Sequence, residues 1–132
     1  MIVSGLDEVI AGLLHEAAAA EADWLVVAIN DDESVRRLKG EGRPILPAEA
    51  RAALIAALRC VDRVVVFGGR DVKPLLQALQ PDVHCKGTDY TVDSVPERDS
   101  VIAYGGRTAI VGDPKDHSTR DLLAAIRALP DA

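Results

Sequence analysis

The sequence predicts an α/β fold of three layers, with helices on both faces of a parallel sheet of four to five strands. Short apolar segments of strand length alternate with helical patterns along the chain, as in repeated strand–helix–strand units. The composition is 48% hydrophobic but only 3% aromatic, so the core is aliphatic, which suits strands buried on both faces. The length of 132 residues, without an internal repeat or linker, predicts a single domain over residues 1–132.

Four segments are predicted as strands because each is short and apolar. Three of them run into Gly and one runs into Asn, residues that permit a sharp exit from a strand. The segments are "WLVVAIN" (24–30), "DRVVVFG" (62–68), "DVHCKG" (82–87) and "RTAIVG" (107–112).

The intervening segments carry helical signals. Leucine, valine and isoleucine at helical spacing predict the first helix, and a Pro in the first turn, paired glycines and a Ser/Thr cap mark the ends of others. A short helix with acids at its start ends before Gly40. The remaining predicted helices cover residues 6–20, 47–61, 71–81, 96–106 and 118–129.

Charge and composition exclude several classes of function. The net charge is −6 and the pI is near 5.0, which argues against nucleic-acid binding because that needs a basic face. No apolar segment is long enough to cross a membrane, and the first residues do not resemble a signal peptide. Cys60 and Cys85 form no metal or redox motif. We therefore expect a reduced, cytoplasmic protein that binds neither nucleic acid nor membrane.

Three isolated residues are predicted to be structural. Trp24, at the start of a strand, is expected in the core, and His84, inside a strand, is expected to be partly buried with its polar atoms satisfied. His15 lies on the first predicted helix and is expected at the surface or an edge.

In parallel sheets of this kind, ligands bind beyond the carboxyl ends of the strands, where the strand order reverses. The first polar cluster in such a place is "NDDESVRRLKGEGRP" (30–44). Its acids and first two arginines are equally well explained by pairs four residues apart on a helix, Asp32–Arg36 and Glu33–Arg37, which also complement the helix dipole.

That structural explanation fits the end of the first cluster poorly. Lys39 and Arg43 stand in "KGEGRP", a Gly-rich loop just past a strand and a helix. Two cations in such a loop form a plausible phosphate clamp, because Lys and Arg both bind phosphate oxygens well.

The second cluster, "CKGTDYT" (85–91), follows a buried strand. It can be an ordinary polar turn. However, the charge of Lys86 at the mouth of a parallel sheet must stay solvated or find an anion, which favours a functional role.

The third cluster, "DHSTRDLL" (116–123), opens the last helix. Ser118 or Thr119 can act as a simple cap, or the free N–H groups of this helix can hold a phosphate. His117 is either a phosphate donor or a loop residue, and a single His without a partner favours the loop.

Taken together, the segments "VVAINDDESVRRLKGEGRPILPAEAR", "LAALRCVDRVVVF", "LLQALQPDVHCKGTDYTVDSVPER" and "VIAYGG" resemble the cytidylyltransferase-like nucleotidyltransferases. The likeness is to the D-glycero-β-D-manno-heptose 1-phosphate adenylyltransferase group, an activity often found as the C-terminal domain of a bifunctional enzyme, and it covers about residues 22–129. It implies a Rossmann-like fold and a reaction of ATP with a sugar 1-phosphate, with Mg²⁺ assisting, to give an ADP-sugar and pyrophosphate.

The resemblance also implies which residues bind the nucleotide or its phosphates. These residues match the family's loop after its second strand, its KG-x-DYT turn and the Ser-Thr-Thr stretch of its last helix: Lys39, Arg43, Lys86, Gly87, Asp89, Tyr90, Ser118 and Thr119. The chain departs from the pattern at Thr88, Arg120 and Asp121, and Asp121 brings negative charge close to an expected phosphate site. The pattern assigns no resident metal ligand.

The largest departure lies at the front of the chain. The family has a central first strand, a turn resembling N-G-C-F-D and a helix with H-x-G-H, whose histidines contact the nucleotide phosphates. Aligned without gaps, the H-x-G-H positions fall on residues 8–11, "EVIA". "IVSGLDEVIAGLLHEA" instead resembles a connecting helix, so we expect the first family strand to be missing or reduced. The flanking strands then close up, residues 1–4 supply a short strand, or a partner chain fills the place.

Three functions remain open, and the catalytic residues are not identified. The chain is a nucleotide- or sugar-phosphate-binding protein with impaired catalysis, because positioned donors supply much of the rate in phosphoryl-type transfer. Alternatively, it is an active adenylyltransferase in which His15, His117 or a partner subunit replaces the lost pair. A third alternative is a non-enzymatic interaction or regulatory subunit. Loss of a strand would expose sheet edges, which favours a homo-oligomer or a partner subunit.

Overall fold

The computed structural model describes residues 2–4, 23–88, 90–111 and 119–130. For residues 2–4 and Thr119 it describes the backbone only. The strands are β1 (Ile2–Ser4), β2 (Val26–Asn30), β3 (Arg63–Phe67), β4 (Val83–Lys86) and β5 (Arg107–Ile110). The helices are α1 (Asp32–Lys39), α2 (Ala48–Ala56), α3 (Lys73–Leu79), α4 (Arg98–Ala103) and α5 (Thr119–Arg127), with a 3₁₀ turn at Val92–Ser94.

The five strands form one parallel sheet with the order β3-β2-β1-β4-β5. In its register, Ile2 lies opposite Val26 on one side and His84 on the other. The predicted parallel α/β fold is therefore confirmed, and the first strand is reduced to three residues rather than missing. The flanking strands do not close up, because residues 2–4 separate them.

Helices cover both faces of the sheet, as predicted. On one face Val27 and Cys85 pack in a cluster with Ile55 of α2. On the opposite face Val26 and Ala28 pack with Leu76 of α3 and with Val101 of α4. Because neighbouring residues along a strand point to opposite faces, β2 needs apolar side chains at every position, and its sequence VVAIN supplies them at the first four.

The described elements are shorter than the sequence predicted. Helix α2 ends at Ala56 rather than at residue 61, because the chain then turns and packs Cys60 and Val61 against the core. Asp62 follows and accepts a 2.8 Å hydrogen bond from the N–H of Leu25, which joins the starts of β3 and β2. The predicted helix over 6–20 lies outside the described residues.

Two predictions about isolated residues are wrong. Trp24 is 55% exposed, because β2 begins only at Val26 and the neighbouring Leu25 takes the place in the core. His84 is fully buried rather than partly buried. It lies on a central strand with β1 on one side and β5 on the other, so no edge of β4 faces solvent.

Candidate functional site

The candidate site lies at the carboxyl edge of the sheet, where the strands end side by side. Asn30 ends β2, and Lys86 ends β4, on opposite sides of the short central strand β1. The chain proceeds outward from β1 to β3 on one side and from β4 to β5 on the other, so the strand order reverses between β1 and β4. A parallel sheet opens a crevice at such a reversal, and ligands bind there.

The β2 side of this edge is organised by Asp31. Its backbone N–H donates to the carbonyl of Phe67 at 2.8 Å, and its carboxylate caps helix α1 by accepting from the N–H of Ser34 at 2.8 Å. Hydrogen bonding from the side chain and backbone of Ser34 holds the pKa of Asp31 below its ordinary value, and Arg37 and Arg51 add to this effect by their charge. Asp31 is therefore ionised at neutral pH.

The same network fixes the loop after β3. The hydroxyl of Ser34 donates to the carbonyl of Gly69 and accepts from its N–H, both at 3.2 Å. A Cβ at Gly68 would lie 2.5 Å from a carboxylate oxygen of Asp31, so this position has no room for a side chain. Gly69 has φ +104°, which L side chains rarely adopt.

Arg51 of α2 joins the loop after α1 to the end of β2. Its guanidinium donates to the carbonyl of Asn30 at 2.9 Å, to the carbonyl of Leu46 at 3.0 Å and to the carboxylate of Asp32 at 2.8 Å. The same Asp32 oxygen accepts a 2.7 Å hydrogen bond from the N–H of Ala48. Asp32 thus pairs with Arg51 rather than with Arg36, so that predicted helix pair is wrong.

The second predicted helix pair, Glu33–Arg37, is confirmed and is exposed on α1. The remaining cations of the first cluster are Arg36, Lys39 and Arg43. Lys39 is exposed at the last residue of α1, and Arg43 lies on the loop between α1 and α2.

An open cleft of about 370 Å³ lies between α1 and this loop. Arg43 lines this cleft, and its Nε and Nη2 atoms are buried and have no hydrogen-bond partner among the described residues. The lining residues are Asp32, Arg36, Gly42, Arg43, Pro44, Ile45 and Pro47.

The β4 side of the edge contains a buried ion pair. The Nζ atom of Lys86 lies 3.7 Å from a carboxylate oxygen of Glu97 and 5.1 Å from the centroid of the Tyr90 ring. Both charged side chains are almost completely buried, at 9% and 5% exposure. The second carboxylate oxygen of Glu97 is buried without a hydrogen-bond partner among the described residues. The anion that Lys86 requires is therefore supplied, at least in part, by the protein itself.

His84 lies two residues before Lys86 and so on the same face of β4. Burial lowers the pKa of His84 to about 4, and the nearby charge of Lys86 adds to the lowering. The imidazole is therefore neutral at physiological pH, and it does not act as a cationic phosphate donor.

The structure places the predicted site residues in two groups. Lys39 and Arg43 lie on the β2 side, whereas Lys86, Gly87 and Tyr90 lie on the β4 side. Asp89 and Ser118 lie outside the described residues, as do His15 and His117, and the backbone of Thr119 begins α5.

Sequence reasoning missed two residues that organise these groups. The charge of Lys86 indicates that an anion is needed, but Glu97 lies eleven residues later, and no local sequence pattern links the two residues. Arg51 occurs inside a helical pattern and resembles an ordinary surface arginine until the fold brings it to the end of β2.

A model of the cytidylyltransferase-like family matches residues 12–125. The chain belongs to this family, as its motifs predicted. Among curated relatives, the bifunctional protein HldE of Alcanivorax borkumensis is 46% identical over 112 residues, which cover 85% of this chain and 24% of that protein. The bifunctional protein HldE of Gluconobacter oxydans is 45% identical over 117 residues, covering 89% and 24%. The chain therefore spans about a quarter of the length of these relatives.

A solved structure supports the fold. The lipopolysaccharide core biosynthesis protein from Thermoplasma volcanium superposes with a TM-score of 0.67 over 86% of this chain and 96% of that chain, at 22% identity. In the part of the chain that the structure describes, no helix is long and apolar enough to span a membrane.

Proposed function

We propose that this chain is a nucleotidyltransferase-type domain that binds a nucleotide and a sugar phosphate but catalyses transfer poorly. The observation that carries the proposal is the reversal of strand order between β1 and β4. Ligands bind at such a reversal, and β4 ends there with Lys86, followed by Gly87. Family membership and the similarity to HldE proteins support a nucleotide and a sugar phosphate as ligands, and the resemblance to heptose 1-phosphate adenylyltransferases implies ATP and a heptose or related sugar 1-phosphate.

In the full reaction, a phosphate oxygen of the sugar 1-phosphate attacks the α-phosphorus of ATP. The bond between the α-phosphorus and its bridging oxygen breaks, and pyrophosphate leaves with the electron pair. Cationic and N–H donors that stabilise the developing charge carry most of the catalysis in such transfers. Lys39 and Arg43 are the cations we assign to charge contacts with these ligands. Lys86, whose charge Glu97 already balances, is assigned to the site through its position at the end of β4. Ser118 and Thr119 are assigned to the nucleotide phosphates.

Impaired catalysis follows from the segment after β1. Because β1 takes the place of the family's first strand, residues 5–22 stand where the resemblance places the turn and the H-x-G-H helix. Residues 5–22 contain no H-x-G-H sequence, and their one histidine is His15. Loss of a single preorganised donor costs about 10² to 10³ in rate, so loss of both histidines leaves a slow enzyme at best.

The resemblance also implies Mg²⁺, and the described residues do not fit a resident metal site. Among them, no three His, Cys, Asp or Glu side chains come together as a set of ligands. We therefore assign no protein ligand to Mg²⁺ and route no step through it.

Calorimetric titration of the chain with ATP, CTP and heptose 1-phosphate, in buffer with Mg²⁺, tests the binding proposal. We expect ATP and the sugar phosphate to bind, and Lys39→Gln to weaken ATP binding. Arg63→Gln is the matched control, because Arg63 begins β3 at the opposite edge of the sheet and its guanidinium donates to the carbonyl of Asp62 at 2.9 Å. Absence of binding to every ligand would show that the proposal is wrong.

Release of pyrophosphate from ATP and the sugar phosphate distinguishes impaired from full catalysis. Rapid turnover would favour the active adenylyltransferase, with His15, His117 or a partner subunit as replacement donors. Loss of that turnover in His15→Ala or His117→Ala would then identify the replacement.

A second candidate function, an interaction subunit, is favoured by exposed apolar residues on α5 and just after its end. Leu122, Ile126 and Leu129 lie four and three residues apart, and they are 47%, 53% and 66% exposed. An apolar stripe of this kind is typical of a contact surface in a homo-oligomer or with a partner subunit. Sedimentation of the wild-type chain and of Ile126→Glu tests this candidate, and a monomer in both cases would count against it.

A further inference from the structure

Strand β3 has the sequence of a buried strand, but it lies at the edge of the sheet. Its sequence is RVVVF, in which one arginine precedes a run of large apolar residues at 64–67. A continuous apolar run is typical of strands that are covered on both faces. None of the residues at 64–67 is fully buried, and Val66 is 45% exposed, whereas the first four residues of the neighbouring β2 are buried. More apolar surface is therefore left on β3 than the described residues cover.

The strand at the other edge of the sheet is protected, and β3 is not. Strand β5, with the sequence RTAI, is half polar and packs against α4 and the 3₁₀ turn at Val92–Ser94. Within its apolar run, β3 has no charge or proline, which are the usual devices that keep an edge strand from pairing with another chain. In the described part of the chain, its main contacts are with β2 and α2. The outer side of β3 is therefore a ready template for a further strand.

The backbone groups of β3 that face the sheet follow from its pairing with β2. The N–H of Arg63 donates to the carbonyl of Leu25 at 3.2 Å, and the carbonyl of Phe67 accepts from the N–H of Asp31 at 2.8 Å. Both ends of β3 thus direct backbone groups towards β2 and the residues that flank it.

The backbone groups on the outer side are those of the residues between. In a parallel ladder, every second residue bonds to the same neighbouring strand, so Val65 in the middle of β3 also bonds to β2. The N–H and C=O groups of Val64 and Val66 then point to the outer side, where no strand among the described residues pairs with them. Two outward residues on either side of an inward one form a pattern that complements itself when the strand direction is reversed.

We propose that β3 pairs with β3 of a second copy of this chain, antiparallel and centred on Val65. Val64 of one copy then lies opposite Val66 of the other, and each such pair exchanges both of its N–H···O=C hydrogen bonds. All outward backbone groups of the two strands are used, and the two five-stranded sheets join into one. A two-fold axis closes the contact, so it makes a dimer and not a filament. The contact needs no nucleotide or sugar phosphate and does not rest on the proposed function.

The side chains fit the same register. Val64 and Val66 lie on one face of β3, so each outward pair also brings two β-branched side chains together, which favours cross-strand pairing and covers the exposed part of Val66. On the other face, Arg63 of each copy lies opposite Phe67 of the other, where a guanidinium can lie against an aromatic ring. The two arginines stand at opposite ends of the paired strands, so no like charges face each other.

Sedimentation equilibrium of the full chain tests the dimer. We expect the wild type to have the mass of two chains of 14.0 kDa each. Val66→Lys should have the mass of one chain, because pairing would bury its ammonium group beside a valine of the other copy. In the monomer, a side chain that is 45% exposed leaves the lysine a path to solvent.

The matched control is Ile126→Glu. It places a charge on an apolar residue of α5 that is exposed to a similar degree, 53%. This variant should remain a dimer, because α5 takes no part in the β3 contact. Dissociation of the dimer by Ile126→Glu would place the second copy on α5 and overturn the inference.

Amide hydrogen exchange tests the register and needs no variant. The N–H of Val64 should exchange at least about tenfold faster when the wild type is diluted to monomers, because only the second copy accepts its hydrogen bond. The N–H of Val65 should exchange slowly at both concentrations, since it is bonded to β2. The same measurement decides the question if Val66→Lys does not fold.

Three other results would overturn the inference. They are a wild type that is monomeric at all concentrations, a dimer that persists in Val66→Lys, and exchange of the Val64 N–H that is equally fast in the monomer and the dimer. A monomeric wild type would leave the outer side of β3 to an extended segment of a different protein.

Discussion

The two sides of the carboxyl edge differ in whether the protein supplies a partner for the cation. On the β4 side, Lys86 is buried, and the protein supplies its counter-ion through Glu97. On the β2 side, Arg43 is half-buried and keeps two buried nitrogens without a partner among the described residues. The available acid on that side, Asp32, is taken by Arg51. The charge of Lys86 is therefore balanced within the protein, whereas Arg43 is a cation that the proposed function assigns to ligand binding.

This difference leads to different expectations for mutations of the two sides. Changes to the Lys86–Glu97 pair should mainly affect the free energy of unfolding, because removal of one partner leaves the other buried and unpaired. Changes at Arg43 should mainly affect ligand binding.

The largest effect is expected for Glu97→Gln. It leaves Lys86 buried beside a neutral amide, which should lower the free energy of unfolding by about 3–5 kcal/mol. For a chain of 132 residues this lowers the melting temperature by roughly 10 °C or more. Thermal and urea unfolding measure it.

The matched control is Asp93→Asn. It removes the 3.8 Å contact with Arg98, in which the Asp93 side chain is 90% exposed, and should change the free energy of unfolding by less than about 0.5 kcal/mol. The double variant Lys86→Met with Glu97→Met should be more stable than Glu97→Met alone, because no charge is then left unpaired. Equal losses in the control and in Glu97→Gln would contradict the assignment of a structural pair.

The next largest effect concerns pH and His84, on the same face of β4 as Lys86. In the folded protein the pKa of His84 is lowered from 6.5 to about 4, mainly by burial. Below pH 6.5 the imidazole of His84 is protonated in the unfolded chain but stays neutral in the folded chain until the pH approaches 4. The contribution of His84 to the free energy of unfolding is therefore fully present above pH 6.5 and falls as the pH drops. The loss reaches up to about 3 kcal/mol once the pH approaches 4.

Urea unfolding across this pH range measures the slope, and His84→Gln should flatten it. Asp31 does not produce the same slope, because its pKa is lowered from 3.8, so its contribution is lost only at still lower pH. An unchanged slope in the variant would mean that other groups titrate in this range.

A smaller effect is expected on the β2 side for Gly68→Ala. The new Cβ would lie 2.5 Å from a carboxylate oxygen of Asp31, so the cap of α1 must shift. We expect a loss of about 1–3 kcal/mol in the free energy of unfolding, as for other overpacked sites. In an Asp31→Ala background the same change should cost less, because the obstructing carboxylate is gone. Additive losses measured by urea unfolding would contradict this explanation.

The sequence predicted the layers of the fold better than its central strand. The four apolar segments are long enough for their periodicity to be read, and all four form strands. Residues 2–4 are too few to show a period, and their assignment depends on pairing with β2 and β4. Two alternatives for this place, closure of the flanking strands and a partner chain, could be decided only by that long-range pairing.

For the site, sequence identified candidate cations but not their partners. Lys86 and Arg43 were both predicted as phosphate ligands from the residues around them. They differ because the fold brings Glu97, at the start of α4, to Lys86, and because Asp32 pairs with Arg51. Both partners lie more than ten residues away, so no local pattern contains them.

The smallest expected effect on stability is that of Arg43→Gln, and it completes the contrast with Glu97→Gln. Without ligand, the variant should unfold within about 0.5 kcal/mol of the wild type, because the buried Nε and Nη2 atoms of Arg43 have no described hydrogen bond to lose. With ATP or heptose 1-phosphate at a hundred times its dissociation constant, the wild type should gain about 2.7 kcal/mol, and the variant should gain much less with the ligand that Arg43 binds. Thermal unfolding with and without each ligand measures both. A large loss without ligand would place Arg43 with Lys86 as a structural cation, and the two sides of the edge would then no longer differ.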